Sequence, residues 1–284
     1  MGTPQLNLDR PPALPTGAYD YGERTSGETH GVVLTKAHVV SLILDLAGYV
    51  PDRDLSRIAF LEPSCGHGAF VVRAVERLMA SAKDFRRSPK DLGGAIRAYD
   101  IEASHVALTR QVVVEALQRH GVKKARAEEL AETWILCGDF LLASRERRFD
   151  VVVGNPPYIR IEQLSRALQE EYRRRYPSLY DRADLYVAFI ERGLNLLSQD
   201  GVLAFICADR WILNKYGAPL RRLLSERFGV RSYIDMHRAS PFDSEVIAYP
   251  SIFAVSPGTS GRVHVGVVET ASPEECSAVL SFIE

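Results

Sequence analysis

The chain has 284 residues, 46% of them hydrophobic and 25% charged, which excludes global disorder and leaves room for one large α/β domain with appendages. Its longest apolar stretches, such as residues 202–208, fall far short of the roughly 18 residues a membrane span needs, and the N-terminus lacks a basic-then-apolar leader. A formal net charge of −1 argues against a surface that by itself tracks phosphates.

Residues 1–30 are rich in Pro, Gly and Thr with little periodicity and read as an N-terminal arm. From Gly31 the pattern changes, and Thr35 stands where an N-cap belongs for a helix carrying Val39, Val40, Ile43, Leu44 and Leu46, stopped at Gly48. Beyond it, short apolar runs at 58–61, 95–99, 134–137, 149–153 and 202–207 alternate with helical periods from about Ala69, through 105–117 and through 185–197. Such alternation implies βαβ units with right-handed crossovers, hence a doubly wound, mostly parallel α/β sheet. Runs 230–234 and 251–255 lack an intervening helix and favour an antiparallel pair at the sheet edge; 262–268 reads as a strand and 277–282 as the start of a helix. Cys65, Cys137, Cys207 and Cys276 lie far apart without a C-x-x-C pair, so the pattern points to reduced, mostly core thiols of a cytoplasmic protein and to no metal site or disulfide framework.

The first strand runs into Glu62-Pro63-Ser64-Cys65-Gly66-His67-Gly68. Gly66 and Gly68 let the backbone turn sharply and approach a ligand, and the helix N-terminus behind them favours a carboxylate; alone, the same glycines also describe a plain tight turn. The second strand ends at Asp100-Ile101, where an acidic side chain can accept from the two hydroxyls of a ribose, or simply cap the next helix. The third ends at Asp139-Phe140, a carboxylate able to accept from an adenine amino group beside a ring able to pack on its face. No phosphate-gripping Lys follows the glycines, so a nucleoside fits better than a nucleotide.

The most specific signal is Asn155-Pro156-Pro157-Tyr158 at the carboxyl end of the fourth strand, where open α/β sheets bind ligands. An adenine amino group is a poor nucleophile because its lone pair is delocalised into the ring. Accepting both N–H bonds, through the Asn155 side chain and the Pro156 carbonyl, localises that pair and aims it at a sulfonium methyl group; such alignment contributes up to ~7–11 kcal/mol. Tyr158 suits stacking on a base rotated out of a duplex, worth ~1–3 kcal/mol. The alternative is a rigid proline turn without chemistry.

In order and spacing these motifs resemble the gamma-class, TaqI-like N6-adenine DNA methyltransferases of restriction-modification systems, over roughly residues 31–255. The resemblance implies a class I S-adenosylmethionine-dependent fold with a seven-stranded sheet and an antiparallel edge strand. It implies cofactor contacts by Thr35, Glu62, Ser64, Gly66, Gly68, Asp100, Ile101, Asp139 and Phe140, and catalysis by Asn155, Pro156 and Tyr158. Where that family has Pro after the threonine, this chain has Lys36. Tyr216 is the candidate for a second aromatic against the flipped base, or else a helix-edge residue; Trp211 is its neighbour or a core residue. His67 needs no acid-base role, since the amino group loses its proton only after methyl transfer.

Double-stranded DNA is the implied partner. In the resembled family a separate region reads the sequence, so 31–258 is expected to be the catalytic domain and 259–284 the start of a linker or of a truncated target-recognition region, with that domain or subunit supplying positive charge. Arginines 160, 166, 173, 174, 175, 182, 221 and 222 are interrupted by Glu162, Glu170, Glu171 and Asp181 and read as solvated helix surface rather than a phosphate track. Two other readings stand beside this one: amino-group methylation of RNA or of a release-factor glutamine, and a non-catalytic subunit retaining the fold. A D/E-x-K nuclease core is absent from the sequence.

Overall fold

The strands that carry the continuous apolar runs lie at the centre of the molecule: β1 (Phe60–Glu62), β2 (Ile96–Asp100), β3 (Ile135–Cys137), β4 (Phe149–Gly154) and β5 (Leu197–Ala208), followed by β6 (Phe228–Asp235), β7 (Pro250–Pro257) and β8 (His264–Val267). The computed structural model describes residues 34–144, 147–243, 249–259 and 261–283. The expected arm at 1–30 lies outside them. Within the described residues the strands form one sheet in the order β3-β2-β1-β4-β5-β7-β6-β8.

Side-chain alternation sorts each central strand onto two faces. In β5, Val202, Ala204 and Ile206 enter one apolar cluster while Leu203, Phe205 and Cys207 enter the other; in β7, Ile252 and Ala254 oppose Phe253 and Val255 in the same way. A strand buried on both faces needs no polar alternation, which is why these segments read as unbroken apolar runs. Each such side chain contributes about 1.5–3 kcal/mol by leaving water.

One face is covered by α1 (Ala37–Leu46), α2 (Ala69–Asp84), α3 (Ala103–Arg119) and α4 (Lys124–Trp134), and the other by α5 (Arg166–Arg175), α6 (Tyr186–Asn195) and α8 (Ala218–Arg227); α7 (Arg210–Leu213) is a single turn after β5, and α9 (Pro273–Ile283) packs against α1. Gly193 lets α6 lie close to the sheet, since a Cβ there would stand 2.7 Å from Leu203 Cδ1.

Three expectations are corrected. The sheet has eight strands among the described residues, because β8 adds in parallel to β6. The antiparallel strand is not at an edge: β7 sits between β5 and β6, reversed relative to both. Thr35 does not cap α1; Lys36 occupies that position without a side-chain bond, and Thr35 instead forms an isolated antiparallel bridge with Phe242. Gly48, at φ +69, does terminate the helix as expected, with the Tyr49 amide returning to Leu44 O at 2.9 Å. The helix α4 was legible but overlooked: Ala127, Leu130, Ala131 and Trp134 are buried at 3- and 4-residue spacing, so Trp134 ends a helix rather than opening β3.

Candidate active site

Strand order reverses between β1 and β4, which pair in parallel through Phe60 with Val151 and Leu61 with Val152, so the loops leaving their carboxyl ends emerge side by side at the crevice where open α/β sheets bind ligands. A Cβ placed on Gly154 would lie 3.6 Å from Pro63 Cδ and 3.7 Å from Glu62 Cγ. The strand ends that lead into the glycine loop and the Asn155-Pro156-Pro157-Tyr158 loop therefore lie side by side.

The glycine loop is latched to the end of β2. Asp100 Oδ2 accepts from the Gly66 amide at 2.8 Å, and Oδ1 accepts from the Glu102 amide at 2.9 Å and meets His105 Nδ1 at 3.1 Å. The Thr109 hydroxyl donates to Gly66 O at 2.7 Å, and the Cys65 amide to Tyr99 O at 2.8 Å. Gly68 adopts φ +88 as the residue before α2, and a side chain there would press on Thr109 Cγ2 at 3.0 Å. Asp100 thus shapes the loop, with further lone pairs on the same oxygens to offer a hydroxyl. Ile101 and Ser64 beside it are half-buried, each with an open portion. His67 stands edge-on to His105, ring centroids 5.1 Å apart.

Glu62 ends β1 at 1% exposure. The Val71 amide, in the first turn of α2, donates to its carboxyl group, while Oε2 has no protein partner. Burial, reinforced by the neighbouring Asp100 carboxylate, pushes its pKa well above the ordinary glutamate range. A buried carboxyl with an orphaned oxygen at a glycine loop fits a ligand that brings a donor or a cation, as the methionine ammonium of S-adenosylmethionine does.

Asp139 follows β3 and accepts from the Leu141 amide at 2.7 Å through Oδ1 and from the Tyr172 hydroxyl at 2.5 Å through Oδ2. Tyr172 is a fully buried residue of α5, so the helix after the proline loop is tied to the cofactor side of the crevice. Phe140 departs from expectation. It is 2% exposed, with the Arg192 guanidinium 4.9 Å above its ring and Phe189 and Tyr99 at 5.5 and 5.8 Å. The ring is thus packed by Arg192, Phe189 and Tyr99 of the protein itself.

On the other side of the crevice, Asn155 Nδ2 reaches 3.5 Å from Thr35 Oγ1. Two backbone bonds hold Thr35 there: Lys36 N to Pro241 O and Asp243 N to Leu34 O, both 2.9 Å. The same segment brings Phe242, which sequence reasoning missed, edge-on to Tyr158 at 6.5 Å, while Tyr186 lies 6.4 Å from Tyr158 on another side. Tyr158 is half-buried, with its hydroxyl enclosed and its pKa raised well above normal by burial and by Cys207. The Tyr186 hydroxyl meets that of Tyr216 at 2.8 Å, which links Tyr216 to Tyr158 through Tyr186. Trp211 is buried against Phe253 at 5.5 Å, as a core residue.

The arginines behave as the interrupted pattern implied. Arg166 pairs with Glu170, Arg174 and Arg175 with Glu171, Arg182 with Glu162 and Arg222 with Glu226, and most of these side chains are exposed.

Residues 74–242 match the family described as Eco57I restriction-modification methylase. The Type II methyltransferase M.XhoI of Xanthomonas vasicola is 46% identical over 232 residues, 80% of this chain and 42% of that protein. The Type II methyltransferase M.PaeR7I of Pseudomonas aeruginosa is 46% identical over 241 residues, 84% of this chain and 42% of that protein. The chain thus spans less than half the length of these curated relatives. Among solved structures, the type I restriction-modification system methyltransferase subunit from Streptococcus thermophilus superposes with a TM-score of 0.62 at 16% identity, over 90% of this chain and 55% of that one. The fold is that of class I S-adenosylmethionine-dependent methyltransferases.

Proposed function

We propose that this chain, which belongs to the Eco57I restriction-modification methylase family, transfers a methyl group from S-adenosylmethionine to the N6 amino group of adenine in double-stranded DNA. The observation that supports the reading is the parallel pairing of β1 with β4, whose carboxyl ends lead into the glycine loop and into the Asn155-Pro156-Pro157-Tyr158 loop. Family membership favours DNA over RNA or a release factor as substrate, and the intact Asn155-Pro156-Pro157-Tyr158 loop favours catalysis over a scaffold role.

When bound, S-adenosylmethionine supplies an electrophilic methyl group on a sulfonium. Glu62 and the glycine turn hold its methionine end, with Thr35 facing them across the crevice; Asp100 serves the ribose; Ile101, Asp139 and Phe140 serve the adenine. Asn155 Oδ1 and the Pro156 carbonyl accept the two N–H bonds of the target amino group and draw electron density onto its nitrogen. Tyr158, packed against Phe242, and Tyr216, bonded to Tyr186, are the rings proposed to stack on the flipped base. The displaced proton leaves to water, so no basic side chain is needed. With a net charge of −1, the chain relies on a recognition domain or subunit elsewhere in the working protein to hold DNA tightly and read its sequence.

Nucleoside analysis of DNA methylated by the purified protein tests this directly. N6-methyldeoxyadenosine is the expected product; methylated deoxycytidine, or incorporation into RNA in preference to DNA, would contradict it.

A further inference from the structure

We propose that Leu213 is a wedge that enters the DNA stack where the target adenine leaves it, an inference that rests on the DNA-methylating reading above. Leu213 is 85% exposed, although Trp211 two positions earlier is buried and Ile212 packs against the core. It ends α7, which follows β5 at the carboxyl edge of the sheet, and it stands three residues before Tyr216.

The turn that carries it is rigid. The Ile212 amide donates to Asp209 O at 2.8 Å, Asn214 N to Arg210 O at 2.9 Å and Gly217 N to Asn214 O at 3.1 Å. Arg221 Nη1 ties Trp211 O at 2.5 Å to Asn214 O at 2.9 Å. Gly217 packs so tightly on this turn that a Cβ would stand 1.8 Å from Trp211 O. The leucine is therefore held outward by a braced backbone and has no apolar cover of its own. Lys215 beside it is exposed, and among the described residues the same end of the sheet also exposes Val267, at 64%, closing β8, and Tyr249, at 49%, before β7, with the Arg210 guanidinium 5.1 Å over the Tyr249 ring.

Removing a base from a duplex leaves a gap between its neighbours, and an aliphatic side chain of leucine's size fills such a gap without needing hydrogen-bond partners. Because Leu213 and Tyr216 share one braced turn, the group that takes the base's place is fixed relative to a group that receives the base. The energy recovered offsets the cost of unpairing, so Leu213 matters only when the target adenine is paired.

The test is single-turnover methylation by the full-length protein on two duplexes bearing the sequence the wild type methylates, one with thymine and one with an abasic position opposite the target adenine. Leu213→Ala is expected to slow transfer about tenfold or more on the paired duplex and to stay within about twofold of wild type on the abasic one. S-adenosylhomocysteine affinity, measured by calorimetry, is expected to be unchanged. Wild-type rates on the paired duplex, or an equal loss on both duplexes, would overturn the wedge while leaving the proposed function intact. A wild-type protein that methylates no DNA would remove both.

Discussion

The Tyr172 hydroxyl donates to Asp139 Oδ2 across 2.5 Å, although 33 residues separate them and one stands in the helix after the proline loop while the other closes β3. Both are buried, so this bond fixes the direction in which Asp139 faces the crevice. Tyr172→Phe removes the donor and leaves the ring, and it is expected to weaken S-adenosylhomocysteine binding by a free energy of about 1–3 kcal/mol, measured by calorimetry. An analogue with inosine in place of adenosine lacks the amino group from which Asp139 is proposed to accept, so its affinity is expected to be nearly unaffected by the substitution. Equal weakening of both ligands would point to a general packing role.

Asp100 is expected to be needed before any cofactor arrives. Its oxygens accept the Gly66 and Glu102 amides, so Asp100→Ala leaves two part-buried donors without their acceptor and is expected to lower the stability of the free protein by about 1 kcal/mol or more in urea titration. If Asp100 served only a ribose, the variant would lose cofactor affinity at unchanged stability.

Glu62 makes stability depend on pH in a direction opposite to most carboxylates. Burial raises its pKa in the folded protein, so above the ordinary glutamate range the folded state retains a proton that the unfolded chain has released. The stabilisation is fully present below the unfolded value and is lost as pH rises towards the folded one. Glu62→Gln, neutral throughout, is expected to melt at the higher temperature as pH is raised, with the gap closing at low pH. A constant gap across the titration would show that Glu62 does not hold this proton.

Gly217→Ala is expected to disrupt the turn between α7 and α8, because its Cβ has no space beside the Trp211 carbonyl. Overpacking of this kind costs about 1–3 kcal/mol, and it should appear as a lower denaturation midpoint together with faster proteolysis around 211–217.

The sheet's centre is readable in the sequence because strands buried on two faces must be largely apolar, as 151–153 and 202–207 are. The proline loop is readable because its residue types are chemically unusual after a strand. What pairs with what across the sheet is less accessible. Thr35 reaches Asn155 through a bridge to Phe242, and no local pattern connects residues 35, 155 and 242. Local propensity even gives Thr35 a different task, since a threonine before a helix stripe is a good cap. Phe140 shows the converse: the motif names the residue, but only packing reveals that Arg192 already covers its ring. Tyr172 could have been singled out only as part of the apolar stripe Leu168, Tyr172 of an otherwise charged helix, with nothing to name Asp139 as its partner.

The most direct measurement pairs methyl transfer with cofactor binding in Asn155→Ala. Transfer of tritiated methyl to DNA is expected to fall by at least about a hundredfold while S-adenosylhomocysteine binds within a few-fold of wild type, because the acceptor for the amino N–H is lost while Glu62 and Asp100 remain and only the long 3.5 Å bond to Thr35 goes with it. Retained transfer, or loss of cofactor binding in step with activity, would contradict the role given to Asn155 beside the glycine loop.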